Sequence, residues 1–192
     1  REYLVQPEIE GAALREMNVQ LIVHSSLLIE IDGLRILTDP GEIPDLYVVE
    51  KFGIARRYAD AMEQIKEVDV IFLSHGDADH INLLDIVSTN NPTAYILTAS
   101  ETAKQLQDKQ LPNPIQVLSD GEEFVIKGIS LKAIGGRWGK HEPLWYGDKP
   151  KDNMGLSIDN SIVFLGDALV PGIKPLVLMV PMAGKMTSMK DA

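Results

Sequence analysis

The chain has 192 residues, of which 45% are hydrophobic and 24% charged, with 28 acidic against 18 basic side chains and a formal net charge of −10. This balance fits an ordinary globular α/β chain of about one domain and disfavours a broad phosphate-tracking surface, so nucleic acid is not the expected partner. With no cysteine, disulfides, zinc fingers, iron–sulfur clusters and cysteine nucleophiles are excluded, and any metal must be held by His, Asp or Glu. No stretch approaches the roughly 18 apolar residues of a membrane span, and the N-terminus lacks the basic and apolar regions of a signal peptide. A cytoplasmic location is the expectation. The first residue is Arg1 rather than Met, which suggests that the ends of the chain are not those of the translated product.

Val19 to Ile31 is an apolar run broken by His24-Ser25-Ser26, and Asp32-Gly33 is a hairpin turn signal before Leu34 to Leu37. The hairpin ends at Thr38-Asp39-Pro40. From Ile54 to Ile65 apolar residues recur at three- and four-residue steps, predicting a helix with one buried face. Val68 to Leu73 reads as a buried strand stopping at Ser74-His75-Gly76, with a short helix over Ile81 to Val87. After a strand at Tyr95 to Leu97, Thr98 and Glu101 form a capping-box signature for a helix running toward Lys109. Ile115 to Leu118, Glu123 to Lys127 and Ile129 to Ile134 read as successive strands, followed by a long loop from Arg137 to Asn153. No linker divides the chain, so residues 1–192 are read as one domain. The seven-residue steps from Asp32 to Asp39 and from Asn160 to Asp167 echo one another. They suggest two similar halves, each bringing a carboxylate to the end of a strand.

His75-Gly76-Asp77-Ala78-Asp79-His80 places four potential metal ligands in six residues after a buried strand, including two of the four histidines. Imidazole and carboxylate are the ligand types this chain has available. Gly76 would let the backbone turn tightly, so that His75 and Asp77 serve one ion while Asp79 and His80 reach a second.

His75-x-Asp77-x-Asp79-His80 resembles the His-x-His-x-Asp-His signature of the metallo-beta-lactamase fold superfamily, with one histidine replaced by Asp77. Val23 to Glu30 followed by Ile36 to Pro40 resembles the opening of its ascorbate-6-phosphate lactonase-like and phospholipase D-like branch. Asn153-Met154-Gly155 through Gly166-Asp167 resembles the later strand whose Gly-Asp supplies a carboxylate bridging both metals. The resemblance implies a four-layer αβ/βα sandwich of two mixed sheets flanked by helices, with two divalent ions (zinc, manganese or iron) at one edge. The ligands it implies are His75, Asp77, Asp79, His80, His141 and Asp167, with Asp79 also handling the proton of the nucleophile. His141 stands for a third histidine that family members carry directly after a strand, where Arg137 lies nearer the expected place. No histidine follows His141; Lys185, in Pro181-Met182-Ala183-Gly184-Lys185, falls where some relatives have Gly-Gly-His. Either one metal site is weakened, or the native chain extends past Ala192 with further ligands.

A carboxylate at Asp77 adds charge and a hard oxygen donor, which moves the preference from zinc toward manganese or iron. A related substitution occurs in the superfamily's di-iron oxygen-reducing members. The leading expectation is a hydrolase acting on an ester, lactone or phosphodiester of small-molecule size. A noncatalytic metal-stabilised binding domain and a di-iron redox protein are the alternatives, and a homo-oligomer is left open. His24 is weighed as a pocket residue against a structural histidine, Asp39 as a brace for the metal loop against a turn former. Trp138, Trp145 and Tyr146 could line a substrate mouth or pack on the core.

Overall fold

Runs of β-branched and aliphatic residues between left-handed turns build the sheets. In the computed structural model, residues 17–42, 60–140, 152–167, 175 and 177–179 are described, with side chains for all of these except 136–140 and 152. The first sheet has the order β1 (Met17–Val23), β2 (Ser26–Ile31), β3 (Leu34–Thr38), β4 (Val70–Leu73), β5 (Tyr95–Thr98) and β6 (Ile115–Val117). β1, β2 and β3 are antiparallel neighbours, whereas β3 through β6 run parallel. The second sheet has the order β11 (Val177–Met179), β10 (Ile162–Phe164), β9 (Asp152–Ile158), β8 (Ile129–Lys140) and β7 (Glu123–Ile126), and only its β10–β11 pair is parallel.

The two mixed sheets face one another across a single apolar layer. Ile29, Ile36, Val70, Phe72 and Leu97 of the first sheet are buried together with Leu131, Met154, Leu156, Ile162 and Phe164 of the second. The rings of Phe72 and Phe164 meet edge to face at 6.1 Å. Alternation along the strands turns Leu28, Leu37, Ile71, Leu73 and Ile96 to the other side, where they pack with Met62, Ile65, Leu84, Val87 and Leu106. Helices α1 (Ala78–Ile81), α2 (Leu84–Asn90) and α3 (Ser100–Gln105) belong to the segment that covers this side. This is the sandwich expected from the sequence. Helices on the outer face of the second sheet are not among the described residues.

Several local expectations change. Of the helix expected over Ile54 to Ile65, residues 60–63 are helical and Met62 and Ile65 are buried, while 54–59 lie outside the described residues. The single helix expected over Ile81 to Val87 is two, and the first carries Asp79 and His80 on a helical turn rather than a loop. The capping box does not form. Thr98 is the last residue of β5 and its hydroxyl donates to the Leu73 carbonyl at 3.0 Å, so the helix starts at Ser100 with Ala99 at its N-cap. The expected loop from Arg137 is also shortened. β8 continues to Lys140, pairing Gly139 with Asn153 and Lys140 with Asp152 past an irregularity that begins after Ile134.

The turn echo has a structural counterpart. Asp32-Gly33 and Asp159-Asn160 both take positive φ at both positions (45° and 77°, 49° and 54°), as a tight two-residue hairpin turn requires. β3 and β10 follow them and run toward the same edge, where Asp39 and Asp167 lie. At the opposite end, Asp69 accepts from the Arg35 amide and from Lys127 Nζ, and Lys127 Nζ also donates to the Gly33 carbonyl, joining the turns of the two sheets.

Candidate metal centre

The parallel strands deliver their C-terminal ends to one edge, so the residues just after β3, β4 and β10 converge there. Asp39 is fully buried and held at φ +37°, a left-handed conformation that Asp tolerates better than most residues. Its carboxylate is the hub of the site. Oδ1 accepts from the Ser74 amide at 2.7 Å, and Oδ2 accepts from the Ser74 hydroxyl at 2.6 Å and from His80 Nδ1 at 2.8 Å. The Ser26 hydroxyl donates to the Asp39 carbonyl, and the Asp39 amide donates to the Phe72 carbonyl. Asp39, weighed as a brace against a turn former, has features of both: these bonds tie it to Ser74 and His80, and its φ is left-handed.

His80 is the ring on which these contacts centre. It is fully buried; with Asp39 on Nδ1, its Nε2 points toward Asp167 Oδ2 at 3.4 Å and Asp79 Oδ2 at 3.8 Å without forming a hydrogen bond. The His75 ring lies 4.0 Å away by centroid, and the Ser74 hydroxyl is 2.9 Å from His75 Nδ1. That places the other nitrogen, Nε2, 3.7 Å from Asp77 Oδ2. Ligand atoms of His75, His80 and Asp167 all lie within 4.8 Å of one another, and so do those of His24, Asp79 and His80. The expected pairing of His75 with Asp77 on one ion and of Asp79 with His80 on another does not match these groups: Asp77 is in neither, and His80 is in both. His141 lies outside the described residues, one position beyond the end of β8, and Lys185, Trp145 and Tyr146 lie outside them as well.

Asp167 is aimed by Asn153. The Asn153 Oδ1 accepts from the Asp167 amide at 3.0 Å in a part-buried setting, while Nδ2 donates to the Leu165 carbonyl at 2.7 Å in a buried one. Gly166, at φ +62°, passes so close to Ser74 that a Cβ would come within 2.5 Å of the serine Cβ. In the sequence Asn153 stands out only as part of a motif, and its role comes from two side-chain bonds to backbone. Asn153→Ala should destabilise the protein by about 1–3 kcal/mol, the usual range for leaving buried partners unsatisfied. Urea unfolding checks this, and an unchanged midpoint would refute it. Gly76 does not serve the turn expected of it. It has no positive φ; instead the Gln105 side chain packs where its Cβ would be, 1.9 Å from Gln105 Oε1.

The electrostatics follow from the crowding. Burial disfavours a charged His80, yet the carboxylates of Asp39 and Asp167 outweigh it and push the ring up to about 11. Burial likewise opposes the charge on Asp79, but a hydrogen bond from His24 and the charge of His80 hold its carboxyl below the usual range. In chelator-treated protein, the raised His80 value contributes stability that is complete below about pH 6.5 and lost as pH rises toward about 11. The urea midpoint of wild type relative to His80→Gln should therefore shrink across that interval; a difference independent of pH would contradict it.

The donor set fits divalent metal. A buried imidazole is fixed through Nδ1 by a carboxylate and presents its other nitrogen, free of hydrogen bonds, to further carboxylates and a second histidine. This carboxylate–histidine arrangement orients metal-ligating rings.

The family profile of the beta-lactamase superfamily domain matches residues 18–192. Among solved structures, the fold is similar to a protein designated a metal-dependent hydrolase from Parabacteroides distasonis (TM-score 0.53, 20% identity, 80% of this chain and 62% of that one). It is also similar to Igni18, described as a metallo hydrolase from Ignicoccus hospitalis (TM-score 0.53, 19% identity, 81% and 63%). A third similar structure is a peroxy diiron species of the chemotaxis sensor ODP (TM-score 0.51, 24% identity, 74% and 53%). The chain thus spans less than two thirds of each of these proteins. A search of curated proteins finds no match. Among the described residues no helix is long and apolar enough to cross a membrane. With the profile covering nearly all of its length and the sandwich carrying a His/Asp cluster at one edge, the chain belongs to the metallo-beta-lactamase fold superfamily.

Proposed function

We propose that the protein is a metal-dependent hydrolase acting on an ester, lactone or phosphodiester bond in a small-molecule substrate, on the ascorbate-6-phosphate lactonase-like and phospholipase D-like branch of its superfamily. The observation that carries this reading is the convergence of His75, Asp79, His80 and Asp167 on one edge, with the buried His80 Nε2 making no hydrogen bond. Divalent ions, if held by these residues, would supply Lewis acidity and lower the pKa of a bound water. The holding set is proposed as His75, Asp77, Asp79, His80, His141 and Asp167. Asp39 fixes His80 with Nδ1 as donor, which leaves Nε2 for ligation. Asp79, whose carboxyl is held below the usual range, would orient the attacking water and take its proton. Asp77 favours manganese or iron over zinc. The resemblance of the opening segment, with His24-Ser25-Ser26 ahead of Thr38-Asp39-Pro40, supports the branch.

The test is metal analysis of protein purified without added metal, followed by a panel of esters, lactones and phosphodiesters with each loaded form. Close to two ions per chain, with turnover of at least one class and a 10²-fold or greater loss of kcat in Asp79→Asn, is expected from a role in proton transfer. Two ions with no turnover across the panel would replace this reading with a noncatalytic metal-stabilised domain. A redox-sensitive charge-transfer band in the iron-loaded form, again without hydrolysis, would replace it with di-iron redox chemistry, which Asp77 also suits.

A further inference from the structure

We propose that His24 is a protein ligand of the metal held by Asp79 and His80, so that the turn between β1 and β2 forms part of the metal centre. The inference rests on the metal-centre reading above and adds a ligand from outside the His75–His80 segment. His24 Nε2 lies 3.3 Å from Asp79 Oδ2, and ligand atoms of His24, Asp79 and His80 all fall within 4.8 Å of one another. Donors about 2.0–2.2 Å from a shared tetrahedral ion sit roughly 3.4 Å apart, so the His24–Asp79 spacing, here that of a hydrogen bond, also suits two ligands of one ion. The independent sign of a ligand is the third member of the group. His80 Nε2 is fully buried, forms no hydrogen bond, and lies 3.8 Å from the same Asp79 oxygen.

The backbone is committed to this placement. His24 takes φ +46°, a left-handed conformation uncommon for a residue with a side-chain ring, at the turn between two strands whose register shifts between Leu21 and Val23. The turn is tied to the centre through the two serines that follow His24. The Ser25 carbonyl accepts from the Thr38 hydroxyl, the Ser25 hydroxyl lies 3.2 Å from His80 Nδ1, and the Ser26 hydroxyl donates to the Asp39 carbonyl. These contacts hold the His24 ring edge-on to that of His80, with centroids 5.5 Å apart. Its side chain keeps 28% exposure, so it closes the solvent side of a group whose inner member is His80. As a ligand, His24 would give the ion held by Asp79 and His80 a second imidazole.

The experiment uses the full chain and the variants His24→Asn and His24→Gly. Asn and Gly both accept a left-handed turn, so the hairpin is kept while the imidazole is removed. Zinc and manganese titration by calorimetry gives affinity for each equivalent, and X-ray absorption of the zinc-loaded protein counts coordinated imidazoles. Wild type is expected to bind two ions. Both variants should weaken one of the two by at least tenfold, lose one imidazole from the coordination shell, and, in His24→Gly, regain the lost affinity with added imidazole. If wild type binds two ions and the variants bind them equally, with the same imidazole count, His24 is not a ligand while the metal-centre reading stands. If affinity falls but the imidazole count does not, His24 acts only by positioning Asp79 and the proposal is overturned. If wild type binds no metal, both readings fall together.

Discussion

Asp39→Ala is expected to lower stability by about 3–5 kcal/mol, the range for removing one partner from a buried ionic network. The Asp39 carboxylate accepts from the Ser74 amide, the Ser74 hydroxyl and His80 Nδ1, and its side chain is inaccessible to water. Alanine would leave all three donors buried without their acceptor. Denaturant unfolding measures the loss. Asp39→Asn separates the backbone contribution from the ionic one, because Asn accepts the left-handed backbone and can still receive the Ser74 amide at its oxygen. Its amide nitrogen, however, would then take the place of Oδ2 and face both the Ser74 hydroxyl and His80 Nδ1. Asn should therefore recover part of the stability while metal affinity stays about 10–100-fold down, as for loss of a partner that orients a metal-binding histidine. Equal metal affinity in wild type and Asp39→Asn would show that His80 needs no carboxylate to set its tautomer.

Gly41→Ala is expected to cost about 1–3 kcal/mol by overpacking and to weaken metal binding with it. An added Cβ would stand 2.2 Å from the Asp79 carbonyl oxygen and 2.5 Å from the His80 amide nitrogen. Both are backbone atoms of the helical turn that carries the candidate ligands, so no side-chain rotation relieves the clash. The segment is also tied down around the glycine. Leu83 N–H donates to the Pro40 carbonyl, and the Asn82 side chain both accepts from the Glu42 amide and donates to the Glu42 carbonyl. The turn holding Asp79 and His80 must therefore move as a unit. Gly33→Ala is the control. Gly33 has positive φ but nothing within 4 Å of an added Cβ, so its cost is backbone strain of about 1–2 kcal/mol with metal affinity unchanged. Matching losses of metal affinity in the two variants would refute the steric account.

Strand content was legible because the apolar runs have the right lengths and are separated by left-handed turns, and the order of those runs carried the family resemblance. The His75 to His80 cluster was legible from spacing alone. What spacing could not reveal is depth. His80 and Asp79 are adjacent in sequence, yet the first is sealed inside and the second reaches the turn that bears His24. That difference comes from the helical turn at Ala78–Ile81, too short to leave a periodic pattern. Thr98 misled for a related reason. Its hydroxyl had two uses, capping a helix or bonding across strands, and the pairing of β4 with β5 placed the Leu73 carbonyl within reach. Asn153 gave no signal beyond its neighbours because an amide that bonds backbone on either side is invisible until the strands are paired.

The two hairpins with left-handed turns end in carboxylates on opposite nitrogens of one imidazole: Asp39 from the first sheet at Nδ1, Asp167 from the second at Nε2. Backbone joins the sheets at the same place, where the Met154 amide donates to the Ser74 carbonyl at 2.9 Å. The edge thus works as a clasp whose pin is His80, and an ion held there ties together strands that lie far apart along the chain. Amide exchange in β10 should consequently slow when metal is added, although no residue of that strand contributes a ligand. Whatever pries the sheets apart at this edge would therefore separate the candidate ligands as well.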